Sequence, residues 1–166
     1  MIPSRSKRNL LFGRTSGQHP IRPPWAASES DFLDLCDRCG ECARECPQAI
    51  IRMSDGGYPE IDFSAGGCDF CEVCVAVCKA EALKLDGRAP WHQVAVLGDN
   101  CFSERGVICR SCGEVCEMQA IRFQQVVGGV THVLMDSESC TGCGECVAIC
   151  PAQAITIQTR TQGEHP

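Results

Sequence analysis

The chain lacks a long apolar run. No stretch of about 18 consecutive apolar residues occurs in its 166 residues, whereas a membrane-spanning helix needs about 20. It also lacks a phosphate-binding loop, a dinucleotide fingerprint and a nucleophile–base constellation. We therefore expect no membrane span, and we expect that the chain is not a freestanding enzyme.

Cysteine, by contrast, is abundant, and no cysteine is left over. The 16 cysteines form four groups of four, and three groups follow the spacing C-x2-C-x2-C-x3-C. Bacterial ferredoxins hold [4Fe–4S] clusters with this spacing. The third group departs only in its first gap, which is stretched to seven residues. The groups are Cys36, Cys39, Cys42 and Cys46; Cys68, Cys71, Cys74 and Cys78; Cys101, Cys109, Cys112 and Cys116; and Cys140, Cys143, Cys146 and Cys150.

The spacing predicts that paired groups exchange their fourth cysteines. Three closely spaced thiolates wrap one cluster, and the fourth reaches the other cluster of the pair. Four [4Fe–4S] clusters follow. Their predicted ligands are Cys36, Cys39, Cys42 and Cys78 for cluster 1; Cys68, Cys71, Cys74 and Cys46 for cluster 2; Cys101, Cys109, Cys112 and Cys150 for cluster 3; and Cys140, Cys143, Cys146 and Cys116 for cluster 4.

Two other uses of cysteine fit the pattern less well. A disulfide scaffold suits small secreted chains with about 10% cysteine, but cysteines three residues apart bridge poorly. Structural zinc also uses C-x2-C pairs, usually with a longer stretch before the second pair. Pro47 and Pro151 follow the last cysteine of the first and fourth groups, as in the bacterial motif, whereas Lys79 and Glu117 stand there in the other two.

The stretched gap between Cys101 and Cys109 is the main irregularity. Four cysteines remain available, so a complete [4Fe–4S] cluster is expected there. The longer loop predicts a cluster that is more exposed to solvent, more labile and able to lose one iron.

Composition bears on folding and on compartment. Only 44% of residues are hydrophobic, and this fraction includes the 16 cysteines, so folding is expected to depend on cluster insertion. Reduced thiolates fit a reducing compartment. The apolar run Leu10-Leu11-Phe12 is much shorter than the roughly 7–15 residues of a signal-peptide core. We therefore predict a cytoplasmic protein.

Charge is distributed unevenly along the chain. Residues 1–28 carry five basic and no acidic side chains, whereas residues 29–166 carry ten basic and 21 acidic ones. This basic arm admits three interpretations: a solvated tail, a partner-docking arm anchored by Phe12 and Trp25, or a segment that folds back on the acidic body. Nucleic-acid binding is disfavoured because phosphates would be repelled by that body.

The segments between and after the cysteine groups predict short helices and small antiparallel hairpins. Alternating apolar runs follow each group, at residues 49–51, 82–85, 120–123 and 154–157, and indicate half-buried strands. Gly56-Gly57 and Gly128-Gly129 indicate hairpin turns. Short helical turns are expected at residues 41–46, 73–78, 114–116 and 145–150.

The predicted fold is therefore α+β, with two tandem ferredoxin-like units that each surround two clusters. We divide the chain into the basic arm 1–28, a first unit 29–90, a second unit 91–160 and a tail 161–166. Trp91, Val94 and Val96 are expected to pack between the units, and Trp25 to dock on the first.

Several elements together resemble one family. They are a basic start at residues 4–8, Arg22-Pro23-Pro24-Trp25, the Cys36–Cys39 pair, Gly56-Gly57-Tyr58-Pro59 and the stretched Cys101–Cys109 spacing. In these the chain resembles the ferredoxin-type proteins of the periplasmic nitrate reductase operon, the NapF family. The resemblance implies a cytoplasmic protein with four [4Fe–4S] clusters. It also implies that the protein meets the precursor of the nitrate reductase catalytic subunit before export and assists its maturation.

Two functions remain open at this point. The first is an accessory protein that supplies a cluster or electrons to an apo-enzyme. The second is a ferredoxin-like carrier that passes single electrons to a reductase. Both use the same thiolates, so the cysteine pattern does not separate them.

Overall fold

The computed structural model describes residues 20–126 and 130–160. Most of the basic arm, with Phe12, lies outside the described residues, as do the Gly128-Gly129 turn and the tail. The helices are α1 (Glu29–Leu35), α2 (Glu41–Arg44), α3 (Val73–Ala76), α4 (Ser111–Glu114) and α5 (Glu145–Ala148), with a 3-10 turn at Ser103–Arg105. The strands are β1 (Ile51–Met53), β2 (Pro59–Ile61), β3 (Gln93–Leu97), β4 (Ile121–Gln125), β5 (Thr131–Met135) and β6 (Ile155–Thr159).

The strands form three two-stranded antiparallel sheets among the described residues. Two are the predicted hairpins, β1–β2 and β4–β5, in which Ile51 lies opposite Ile61 and Ile121 opposite Met135. The third pairs β3 with β6, so that the first and last strands of the second half meet. The α+β class is thus confirmed in its coarse form, as short helices and small antiparallel sheets.

Some elements differ from the prediction. Helix α1 is not part of the predicted set, although Ser28 caps it by accepting the N–H of Asp31. Strand β3, which contains Val94 and Val96, is also additional. Three helical turns begin at the predicted residues, but α4 begins at Ser111, three residues before the predicted position. The predicted strand at residues 82–85 is reduced to a single bridge between Leu83 and Ala26.

The same turn follows all four cysteine groups. The third residue after each last cysteine has a positive φ of 50 to 54° and donates its N–H to the carbonyl of that cysteine. A left-handed conformation costs a non-glycine residue about 1–2 kcal/mol, so tertiary packing must hold these turns. They return the chain from each cysteine toward the core. The four residues are Ala49, Glu81, Gln119 and Gln153.

Residues 20–28 belong structurally to the folded body. Pro23 and Pro24 are fully buried, and the N–H of Trp25 donates to the carbonyl of Pro90. The Trp25 ring packs edge-on against Phe70 at 6.3 Å, so its expected docking on the first half is observed. The Arg22 guanidinium pairs with Glu29 at 2.8 Å.

The two halves are joined through aromatic and backbone contacts. Trp91 stacks edge-on against Phe63 and Phe70 of the first half, and its Nε1 donates to the carbonyl of Thr141 in the second half. The expected placement of Trp91 between the halves is therefore correct. The backbone at Gly144 in the second half also lies close to the Phe63 ring of the first half, because a Cβ at this position would overlap that ring.

Gly144→Ala is expected to lower the apparent free energy of unfolding by about 3 kcal/mol or more, because it combines a φ of +85° with that overlap. Gly87→Ala separates the two causes, because Gly87 has φ +83° but no atom within 4 Å of the position that a Cβ would take. It should cost only about 1 kcal/mol. Anaerobic denaturation followed by far-UV circular dichroism measures both. Equal losses in the two variants would contradict the proposed packing at Gly144.

Candidate iron–sulfur centres

Cysteines from different sequence groups surround common cavities. One cavity is lined by Cys46, Cys68, Cys71 and Cys74, which we call quartet II. A second is lined by Cys101, Cys109, Cys112 and Cys150, quartet III. A third, with a volume of about 450 Å³, is lined by Cys116, Cys140, Cys143 and Cys146, which we call quartet IV, and also by Cys68 of the first half. Each cavity therefore contains one cysteine from the other group of its pair.

The remaining four predicted ligands also lie together. The thiol of Cys42 is close enough to those of Cys36, Cys39 and Cys78 for their charges to raise its pKa. We call these four cysteines quartet I. The structure thus groups the cysteines as the crossed spacing predicts, while the assignment of each quartet to a cluster remains a prediction.

The thiols neither pair with one another nor converge on one ion. All sixteen cysteines are free, so the structure gives no support to the disulfide alternative. Within residues 20–126 and 130–160, no three His, Cys, Asp or Glu side chains are placed to hold a single metal ion. A [4Fe–4S] cluster binds one thiolate at each of four irons, so its ligands lie further apart than those of one ion.

Backbone conformation shapes the three regular cysteine loops. Residues on both sides of the second cysteine have positive φ, and this curls each loop into a tight turn. They are Arg38 and Gly40, Phe70 and Glu72, and Gly142 and Gly144. The stretched group lacks this pattern, because Arg110 after its second cysteine has a φ of −136°.

Backbone N–H groups donate to several of the sulfur atoms. Phe70 donates to Cys68 Sγ at 3.4 Å, and Ala154 donates to Cys150 Sγ at 3.3 Å. Ala95 on β3 donates to Cys140 Sγ at 3.4 Å. Such donors stabilise negative charge on sulfur and tune the reduction potential of a bound cluster. The cavities therefore suit thiolate ligands.

Burial opposes ionisation of the thiols when no metal is bound. It raises the pKa of Cys42 and Cys112 to about 11 and that of Cys74 and Cys146 to about 12, and neighbouring thiolates add to the effect. Each is the third cysteine of its group. A thiol that coordinates a metal is deprotonated, so filling the cavities must release protons. The donor set and the mainly apolar cavities fit [4Fe–4S] clusters.

The stretched loop is less open than its length suggests. Cys101 and Cys112 of quartet III are buried, whereas Cys39 and Cys71 of quartets I and II are exposed. The expectation of greater solvent exposure at the third group is therefore wrong. The reason is that the stretched gap folds over the site, with Ser103 3% exposed and its hydroxyl donating to the Cys109 carbonyl. Lability of this site stays a prediction.

Two glutamates that the cysteine spacing does not identify hold cysteine loops in place. Glu104 Oε1 accepts the N–H of Val133 at 2.7 Å, and its Oε2 lies 2.8 Å from His132 Nδ1. These two partners lower the pKa of Glu104 below its ordinary value, so the anchor persists until the pH falls below the ordinary carboxyl range. Glu145 accepts the N–H of Gly67 at 2.7 Å from the other half.

The loops of quartets II and IV meet directly. The N–H of Cys68 donates to the carbonyl of Cys143 at 2.8 Å, beside the bond between Gly67 and Glu145. No sequence signal identifies this contact, because the two cysteines are far apart along the chain and the bond uses only backbone atoms.

Crossed thiol quartets on short helices and small sheets define a ferredoxin-type iron–sulfur protein. Comparison supports this class, because the 4Fe–4S dicluster domain family matches residues 35–82 and 107–160. The ferredoxin-type protein NapF of Escherichia coli K12 is 36% identical over 154 residues, which cover 92% of this chain and 94% of that protein. The chain therefore belongs to the NapF family of ferredoxin-type proteins.

Other relatives extend the same pattern. NapF of Haemophilus influenzae is 38% identical over 144 residues, covering 87% of this chain and 82% of that protein. The methylamine utilization ferredoxin-type protein MauM of Methylobacillus flagellatus is 33% identical and covers 83% of this chain and 67% of that protein. Among the described residues, no helix is both long enough and apolar enough to cross a membrane.

The crossing can be tested by counting irons in two double variants. Cys36→Ala with Cys78→Ala removes two ligands of one quartet and should lose about four irons per chain. Cys68→Ala with Cys78→Ala removes ligands of two quartets and should lose about eight. Iron analysis after anaerobic reconstitution measures both. If each group bound its own cluster, the two results would be reversed.

Glu104→Ala is expected to accelerate iron loss from quartet III several-fold, because the stretched loop loses both contacts with β5. Glu104→Gln should have a smaller effect, since its amide oxygen still accepts the Val133 N–H. Low-temperature EPR after mild oxidation follows the [3Fe–4S] signal. Equal rates in wild type and Glu104→Ala would show that this anchor does not protect the site.

Proposed function

We propose that each quartet holds one [4Fe–4S] cluster, four in all, with the crossed ligands given above. The observation that carries this proposal is the sharing of cavities by cysteines from paired groups. Bound clusters supply reversible one-electron chemistry. The chain supplies thiolates, N–H donors to sulfur and partial exclusion of water, and we assign no catalytic residue.

We further propose that the protein serves the periplasmic nitrate reductase system as an accessory protein. In this role it binds the precursor of the catalytic subunit in the cytoplasm and assists its maturation, by cluster acquisition or by reduction, before export. Support comes from membership of the NapF family over most of the chain. The exposed thiols Cys39 and Cys71 favour cluster exchange at quartets I and II, because ligand exchange requires access to the site.

Electron transfer is the second candidate, and one structural observation favours it. The quartets lie next to one another through the molecule. Cys74 of quartet II lies near Cys42 of quartet I, and Cys146 of quartet IV lies near Cys112 of quartet III. Together with the bond between Cys68 and Cys143, this gives the order I, II, IV, III. Such a series suits a carrier that conducts electrons through the molecule, whereas a cluster donor has no use for it.

We also propose that the basic arm docks on this partner, and we take its extent as residues 1–19 rather than 1–28. Residues 20–28 are packed into the body through Pro23, Pro24 and Trp25, so their removal would disturb the first half. A deletion that tests the arm should therefore remove residues 1–19 only. Those residues contain four of the five basic side chains of the predicted arm.

In the test, the full chain is loaded with iron-57 and mixed with cluster-free catalytic subunit. The two proteins are then separated anaerobically, and iron-57 is measured in each. A maturation factor that donates clusters transfers about four irons per subunit, one [4Fe–4S] cluster. In a parallel mixture the labelled chain is first reduced chemically and then added to cluster-loaded subunit; a carrier passes its electrons to that subunit, becomes oxidised and keeps all its label. A chain beginning at residue 20 serves as the comparison for the arm.

The outcomes separate the candidates. Label in the subunit supports cluster donation, whereas reduction without transfer of label supports an electron-supplying role, either in maturation or as a carrier. If transfer, reduction and complex formation are all absent, the proposed role in this system is rejected. That result would not bear on the iron content of the chain itself.

A further inference from the structure

Strand β3 uses only one of its two edges to pair with β6. The N–H of Gly98 donates to the carbonyl of Ala154, and the N–H of Arg160 donates to the carbonyl of His92. Hydrogen bonds in an antiparallel pair are made at every second residue. The N–H of Ala95 falls between the bonded positions, so it points away from β6.

The free edge of β3 lies against the cysteine loop of quartet IV. The N–H of Ala95 donates to Cys140 Sγ at 3.4 Å, and Ala95 lines the cavity of this quartet. A Cβ at Gly142 would overlap the carbonyl of Gln93, so the loop follows the strand closely. Ala95 is only 7% exposed. The sulfur therefore receives a buried donor from a strand outside its own loop.

A short segment before α1 takes the place of β3 in the first half. The N–H of Ala27 donates to the carbonyl of Ala82, as the N–H of Gly98 donates to that of Ala154. Each acceptor lies four residues after the last cysteine of its group. Ala27 and Gly98 therefore occupy equivalent positions in the two halves.

Three residues before these positions stand Pro24 in the first half and Ala95 in the second. Pro24 is fully buried and lines the cavity of quartet II with Cys68, which is the first cysteine of its group, as Cys140 is. Proline has no backbone N–H, so no donor reaches Cys68 from this position. The N–H that Cys68 does receive comes from Phe70, inside its own loop.

We propose that the N–H of Ala95 raises the reduction potential of a [4Fe–4S] cluster at quartet IV, and that Pro24 withholds the same donor from quartet II. The physical reason is that reduction adds negative charge to the cluster and its sulfurs, and a hydrogen bond to sulfur stabilises that charge. Ala95 is thus a positioning residue that acts through its backbone.

The contact bears on the two sites whose loops touch at Cys68 and Cys143. By itself it biases an electron shared between them toward quartet IV. The electron gained there is the one lost at quartet II, and no bond forms or breaks. This inference rests on the proposed occupancy of the quartets by clusters, and it adds a backbone contact that distinguishes the two central sites.

The test is a potentiometric titration of the cluster-loaded full chain, followed by low-temperature EPR. Ala95→Pro removes the donor without removing a bond to β6, a position at which a strand tolerates proline. It should lower the equilibrium constant for reduction of one site roughly three- to tenfold, where tenfold corresponds to about 59 mV for one electron. Pro24→Ala restores an N–H and should raise the potential of another site by a similar factor.

Two control variants separate the hydrogen bond from other effects of substitution. Ala95→Gly keeps the N–H and should keep the wild-type potentials. Gln93→Pro places proline at the first residue of β3, two residues before the sulfur contact, and should also leave the potentials unchanged.

Each preparation is first analysed for iron, and about sixteen irons per chain are expected from four clusters. A wild-type chain that binds far fewer would overturn the proposed occupancy, and this inference with it. At full iron content, unchanged potentials in Ala95→Pro, or an equal shift in Gln93→Pro, would overturn the tuning contact and leave the occupancy intact. If Ala95→Pro fails to bind its iron, Pro24→Ala decides, and unchanged potentials in that variant would overturn the proposal.

Discussion

The structure depends on a single constraint: each cysteine group completes the site of its partner group rather than its own. Cys78 lies with the first group, and Cys150 lies with the stretched third group. Neither loop of a pair can therefore reach its bound form alone. With only 44% hydrophobic residues, much of the interior is lined by thiols, so we expect cluster binding to take the role that apolar packing has in other domains of this length.

The two halves are linked by the same kind of loop that binds the ligands. Gly144, Glu145 and Cys143 belong to one cysteine loop, and all three contact the first half. The junction is therefore built into the motif itself, and it places quartets II and IV at the centre of the molecule.

The cysteine quartets and two of the three sheets could be predicted from the sequence, because residues close together along the chain determine them. Cysteine spacing indicates the quartets, and glycine pairs between apolar runs indicate the hairpins β1–β2 and β4–β5. Strand β3 escaped prediction because its partner β6 lies at the far end of the second half and its apolar pattern is short. The Glu104 anchor was not predicted, because a single glutamate in a loop gives no sign that it accepts a hydrogen bond from Val133, which is distant along the chain. This bond ties the stretched loop to β5, whereas the length of the loop alone suggested that it would be open to solvent.

Exposure divides the quartets in a way that bears on both candidate functions. Cys39 and Cys71 are exposed, whereas the third cysteine of every group, Cys42, Cys74, Cys112 and Cys146, is buried. Exchange of iron requires access to the ligands, but electron transfer requires only a close approach of the partner. The proposed exchange therefore has its accessible ligands, Cys39 and Cys71, in the first half. Because the loops of Cys68 and Cys143 touch, the two proposed activities need not exclude each other within one chain.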